Sequence, residues 1–278
     1  MLWEKLRRSN NVIDKRKSAV KKVGIVATLI ASIAGLFIYN NPKLPTYITS
    51  NIDDKDKVAQ ATYTPEEHFQ FIRALLAITE DQWKIIFAEN NLKWQDSKLI
   101  LFNTSTASSC GSYNTDIGPF YCSGDLTTYI DLDFFALLSN NLKVIGDASQ
   151  AYIVFHEVGH HVQNLTGMLP RTFAKMQRET KVNANKLLVR LELQADCYAG
   201  IIFNKSKKLL EPGDVAEFIN AASRIGDDWI QSRQGQVMPD SFTHGTSEQR
   251  AGWLLHGYKY GTIGSCDTVN QSDSIIKI

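Results

Sequence analysis

Residues 147–168 read DASQAYIVFHEVGHHVQNLTGM, and this stretch sets the frame for the rest of the chain. Asp147, with Gln150 three residues on, has the form of an N-cap and capping box. Ala151, Val154, Phe155, Val158, Val162 and Leu165 recur at a helical period and do not alternate. Gly167 and then Pro170 close the run in the order expected at a helix C-terminus. On such a helix His156 and His160 project from one face. Two neutral imidazoles at that spacing can grip one divalent cation, and zinc is the usual occupant. Glu157, next to the first imidazole, is placed to take a proton from a water on the metal.

A catalytic zinc takes three protein ligands and keeps a fourth position open; two His and one Glu form an established set. The run RLELQADCYAGIIF, residues 190–203, supplies Glu192 and, one helical turn later, Asp196. Glu192 is the candidate third ligand, and Asp196 the candidate acceptor for the outer N–H of a ligand imidazole. Read without the His pair, Glu192 and Asp196 would be a surface acidic pair. Both stand in an apolar stretch, however, where an unpaired charge is costly. One zinc ion per chain is the expected cofactor.

Further along, Asp240 to Arg250 reads DSFTHGTSEQR, a loop followed by a helix start. Hydrolysis of a peptide by zinc builds negative charge on a tetrahedral oxyanion, which a nearby His or Arg can stabilise. His244 and Arg250 are the candidates, and spacing alone leaves a capped loop with a surface salt bridge as an equal reading. His161 is rotated about 100° from His160 on the helix and is read as structural. His68 and His256 sit on amphipathic runs and are not assigned as ligands.

The 278 residues, 44% of them hydrophobic, are ample for one large core. Charge is uneven. Residues 1–22 carry eight Lys and Arg against Glu4 and Asp14, a net +6; the remainder carries 22 against 27 Asp and Glu, a net −5. A basic tail on a mildly acidic body is not the footprint of a nucleic-acid-binding domain. It matches the cytoplasmic flank of a membrane segment. Val23 to Tyr39 supplies 17 residues without a charge, a short bilayer-spanning helix. The expected topology is single-pass in the cytoplasmic (inner) membrane, N-terminus in the cytoplasm and catalytic domain periplasmic. Ser32-Ile33-Ala34 keeps open the alternative of a cleaved signal peptide. The expected division is a basic tail at 1–22, an anchor at 23–39, a linker at 40–60 and an extracytoplasmic domain at 61–278.

Four cysteines fit export to an oxidising compartment and allow three pairings. Cys110 with Cys122 closes a short loop and is the favoured pair, leaving Cys197 with Cys266. Secondary structure is expected as a helix from Thr64-Pro65 to Glu89 and a buried strand at 98–102. A half-exposed strand at 127–133 would offer a sheet edge beside the metal helix. Helices are expected at 134–142, from Arg171 to about Lys207, and from Pro212 to Gln234. The fold class is α+β, predominantly helical, with a small sheet, preceded by one transmembrane helix.

Several motifs together resemble the bacterial neutral zinc metallopeptidase family of the YpfJ type. They are the pattern W-x-x-x-R-x-S-x-N-V-x-D-x-R from Trp3 to Arg16, SSCGSYNTDIGPFYCSGD, YIDLDFF, HEVGHHVQNLTGM, RLELQADCYAG and SFTHGTSEQR. The resemblance implies a membrane anchor followed by an extracytoplasmic zincin domain. More remotely, the order H-E-x-x-H, E-x-x-A-D and T-H-x-x-x-x-x-R is similar to membrane-associated gluzincins. That likeness implies ligands His156, His160 and Glu192, base Glu157, Asp196 behind a ligand, and His244 and Arg250 near the reacting carbonyl. Gly245 departs from the Pro those enzymes usually carry after the His. The expected activity is zinc-dependent hydrolysis of peptide bonds in a peptide or protein substrate. The rival readings are a catalytically silent zinc-binding envelope scaffold and a zinc amidase acting on cell-wall peptides.

Overall fold

The computed structural model describes residues 1–16, 63–114 and 118–270. The chain begins with a short strand, β1 (Val12–Asp14), and enters the helical body at α1 (Pro65–Glu89). Thr64 caps α1 through a reciprocal capping box with Glu67, and Pro65 occupies the first turn. Then come β2 (Lys98–Phe102), the hairpin β3 (Ser105–Ser108) and β4 (Gly111–Asn114), β5 (Phe120–Cys122) and β6 (Thr127–Asp131). The helices α2 (Leu132–Leu142), α3 (Asp147–Leu165), α4 (Met168–Met176), α5 (Lys181–Lys205), α6 (Asp214–Arg224), α7 (Asp227–Ser232) and α8 (Ser247–Tyr260) complete the fold. It is mostly helical with a small mixed sheet, the α+β class expected of a zincin-like domain.

The sheet runs β1-β2-β6-β5, with β1, β2 and β6 parallel and β5 antiparallel to β6. Strand β6 is buried along its whole length, not half-exposed. It is an inner strand paired on both edges, and both of its faces are covered. On one side Tyr129 packs with Ile100, Phe102, Tyr113 and Phe120, while Ile130 joins the main helical core. The polar Asp131 is accommodated because it caps α2 through the Asp133 N–H. Among the described residues, the sheet edge beside the metal helix is β5, not the expected strand.

Helix α3 is the hub: it contacts α1, α4, α5, α6, β5 and β6. Its N-terminus differs from expectation. Gly146 is the N-cap, and no side chain caps it. Asp147 instead receives the Met1 amino group at 2.7 Å, and Gln150 pairs with His68 at 2.6 Å. Both side chains serve tertiary contacts that a local motif cannot reveal. The run from Arg171 breaks after α4 before α5 begins, with Pro170 inside α4, and the expected 212–234 helix breaks at Gly226. Cys110–Cys122 and Cys197–Cys266 are the two disulfides.

Residues 1–16 belong to this body, which corrects the expectation of a separate basic tail. Met1 and Trp3 are buried in the main core, and the Trp3 ring lies 5.3 Å from that of Phe71. Ser9 and Asn11 hydrogen-bond to buried Glu80, and β1 pairs with β2 from Val12 to Asp14. The expected anchor at 23–39, its cleavage-site alternative and the linker at 40–60 lie outside the described residues. Among the described residues, no helix is long and apolar enough to cross a membrane.

Candidate metal centre

The helical period of α3 places the His156 and His160 rings 4.8 Å apart on one face. Helix α5 brings Glu192 opposite them. His156 Nε2 is 3.1 Å from Glu192 Oε2, and His160 Nε2 is 3.4 Å from Glu192 Oε1. A tetrahedral ion with bonds of roughly 2.0–2.1 Å sets its ligands about 3.3 Å apart. These three buried residues each offer a ligand atom within 4.8 Å of the other two, close enough to converge on one ion. The close approach of the two helices depends on Gly159, where a Cβ would meet the backbone of Ala195 at 3.1 Å. The expected ligand triad is thus brought together.

The outer nitrogens of both imidazoles are also held. His156 Nδ1 lies 2.7 Å from Asp196 Oδ1, the role expected of Asp196. Asp196 is fully buried and receives three further donors: Tyr152 Oη at 2.6 Å, Arg250 Nε at 2.9 Å and an Arg250 terminal nitrogen at 3.0 Å. Arg250 also donates to the Ile225 carbonyl, and to Tyr152 Oη at 3.1 Å. A terminal nitrogen of Arg250 also lies 3.9 Å from Glu192 Oε2, so the guanidinium stands beside the ligand group as well. Its closest hydrogen bonds go to Asp196, so Arg250 holds the group that holds His156. His160 Nδ1 meets Gln163 Oε1 at 2.9 Å.

The electrostatics follow the geometry. Burial pushes the Glu157 carboxyl up to about 7. Burial works in the same sense on Asp196, but the Arg250 guanidinium and His156 outweigh it and hold the carboxylate down at about 2. Glu192 is likewise held below the usual carboxylate range, its burial outweighed by the facing imidazoles. Among the protein groups alone, burial disfavours charge on both ligand histidines. Asp196 and Glu192 overcome this at His156, raising it to about 10, whereas His160 falls to about 4.

His244 approaches this centre closely enough that its charge acts on both Glu157 and Glu192. It is positioned by Asp227, a residue that the sequence reading did not select. One Asp227 oxygen accepts the backbone N–H groups of Thr243, His244 and Gly245 at 2.7, 2.7 and 3.1 Å; the other lies 3.3 Å from His244 Nδ1. Burial opposes charge on His244, but Asp227 and Glu192 outweigh it and raise its pKa. His161 turns away as expected, toward Tyr121 Oη at 2.9 Å and the Gln95 carbonyl at 2.7 Å.

Tyr152, Gln163 and Asp227 are the functional neighbours that the sequence reading missed. Tyr152 stands four residues before His156 and Gln163 three after His160, so helical spacing held a signal for both. Asp227, on a different element, had none. The donor set of two imidazoles and one carboxylate, with each imidazole oriented from behind, fits zinc.

Comparison with known proteins agrees with this geometry. The family described as "Putative neutral zinc metallopeptidase" matches residues 1–269. The chain is 37% identical to Uncharacterized protein YpfJ of Escherichia coli K12 over 98% of its own length and 100% of that protein. It is 38% identical to Uncharacterized protein Mb2605 of Mycobacterium bovis, over 62% of each chain. No solved structure matches.

Proposed function

Since the chain belongs to the neutral zinc metallopeptidase family, we propose that it is a zinc-dependent peptidase hydrolysing peptide bonds in a peptide or protein substrate. The observation that carries this reading is the convergence of His156, His160 and Glu192, with Glu157 beside them on α3. Zinc held by these three residues would supply Lewis acidity toward the scissile carbonyl and toward water.

Glu157 is buried, and its carboxyl is shifted toward neutrality. It is suited to take a proton from the attacking water and deliver it to the departing amine. His244, whose charged form Asp227 favours against its burial, acts on the same centre and would stabilise negative charge developing on the carbonyl oxygen. Asp196, Tyr152 and Arg250 keep His156 oriented. The edge strand β5 contacts α3, and an extended substrate would add there by main-chain hydrogen bonds.

Two disulfides favour a compartment outside the cytoplasm. The proposed location applies to the whole folded unit, residues 1–16 included. Membrane attachment by the charge-free residues 23–39 is part of the proposal. No nucleic-acid partner is proposed, given the acidic balance of the body.

The test uses the purified full chain and Glu157→Gln, with metal content and peptide-library cleavage measured together. Both proteins should hold one zinc, and the variant should cleave roughly 100-fold to 10,000-fold more slowly. Zinc in both without cleavage in either would favour the silent scaffold. Cleavage of purified cell wall but not of the library would favour the amidase. Absence of zinc from folded wild-type protein would end the metallopeptidase reading.

A further inference from the structure

The two ligand imidazoles are oriented by different chemistry: His156 faces a carboxylate, whereas His160 faces the neutral amide of Gln163. An amide can present either its oxygen or its nitrogen, so by itself it does not fix which ring nitrogen carries the proton. Here the choice is made further out. Gln163 Nε2 lies 2.7 Å from the Leu191 carbonyl and 3.1 Å from Gln194 Oε1. Gln194 Nε2 lies 2.9 Å from the Cys266 carbonyl. Both glutamines are buried.

A backbone carbonyl only accepts. The Cys266 carbonyl therefore holds the Gln194 nitrogen toward itself and turns the Gln194 oxygen toward Gln163. That oxygen and the Leu191 carbonyl together demand a donor from Gln163. The Gln163 oxygen is left facing His160, which must carry its proton on Nδ1. The lone pair then sits on Nε2, the atom that faces Glu192. Reversing either amide would bring acceptor against acceptor in a dry interior, at a cost no surrounding water offsets.

We infer that Gln163 and Gln194 are positioning residues that fix the zinc-binding tautomer of His160, with the carbonyls of Leu191 and Cys266 as fixed ends of the relay. The inference rests on the metal reading above. It gives the C-terminal segment a part in the site. The Cys266 carbonyl is kept in place by the disulfide to Cys197, on the same helix as Glu192. The Thr268 hydroxyl on the Arg190 carbonyl and an Arg190 donor on the Thr268 carbonyl tie down the following residues. The segment around Cys266 and Thr268 thus bears on the proposed metal ligand His160 through two side-chain amides.

The test compares full-length wild type, Gln163→Met and Gln194→Met, each stripped of metal. Zinc affinity is measured by competition with a chromophoric chelator, and the cobalt-substituted visible spectrum and metal-free Tm are recorded beside it. Gln163→Met should weaken zinc binding by roughly 10-fold to 100-fold and alter the cobalt spectrum. Gln194→Met should weaken it by a smaller factor. Metal-free Tm values close to wild type would place the loss at the site and not in the fold. Wild-type affinity and spectrum in both variants would overturn the relay while leaving the zinc site standing. A wild-type chain that binds no zinc would instead sink the metal reading itself. Should Gln163→Met fail to fold, Gln194→Met decides: weakened binding supports the relay, and unchanged binding overturns it.

Discussion

His244 shows how one residue's behaviour is set by a partner far away in sequence. Its pKa is raised above the ordinary 6.5 because Asp227 and Glu192 outweigh its burial. A raised folded value means that this pair's stabilisation is complete below pH 6.5 and fades as pH rises through the folded value. Replacing Asp227 with Asn removes the main opposing charge and leaves burial to dominate. The His244 titration midpoint, followed by imidazole NMR, should lie above 6.5 in wild type and fall in Asp227→Asn. An unchanged midpoint would mean that Asp227 does not govern His244. Arg250 carries the complementary lesson. Its guanidinium bonds Asp196, Tyr152 and a carbonyl and also stands 3.9 Å from Glu192, so it supports the ligand shell from behind as well as facing the centre.

At the scale of elements, the site depends on how closely helices approach. Gly159 lets α3 meet α5 at Ala195, and α5 meets α8 through Gly200 and Gly257. A Cβ on Gly257 would come within 1.9 Å of the Cys197 carbonyl oxygen, and one on Gly200 within 2.1 Å of the Leu254 carbonyl oxygen. These are backbone contacts, so no side-chain rotation relieves them. Gly257→Ala should push α8 away from α5 and cost about 1–3 kcal/mol. Because Arg250 is on α8 and Asp196 on α5, that shift should also loosen zinc. Urea unfolding and chelator competition on the same variant check both effects. Stability and zinc affinity equal to wild type would show that the two helices have slack.

For the whole molecule, the unexpected feature is the structural use of residues 1–16. Trp3 packs among Tyr63 and Phe71, and β1 covers the outer edge of β2. Trp3→Ala should therefore destabilise the entire body by about 3–5 kcal/mol, measured by urea unfolding of the full chain. An exposed tail would show a change near zero. The same packing means that a fragment starting near residue 61 lacks a sheet strand and part of the core, so function is best tested on the full chain.

By itself the sequence determined the elements and the chemistry that repeat within one helix or one covalent link. His156, Glu157 and His160 are legible because a helix fixes the relation of residues four apart, and Glu192 with Asp196 for the same reason. The disulfide pairs were legible because a short loop around Cys110 and Cys122 left Cys197 and Cys266 to each other. Only the tertiary structure decided that Asp147 and Gln150 serve partners outside their helix, that β6 is an inner strand, and that Arg250 supports Asp196. It alone brought Asp227 to His244, and Gln194 between Gln163 and Cys266. Those roles depend on which elements pack together and at what distance, and a single segment's periodicity carries no record of its neighbours.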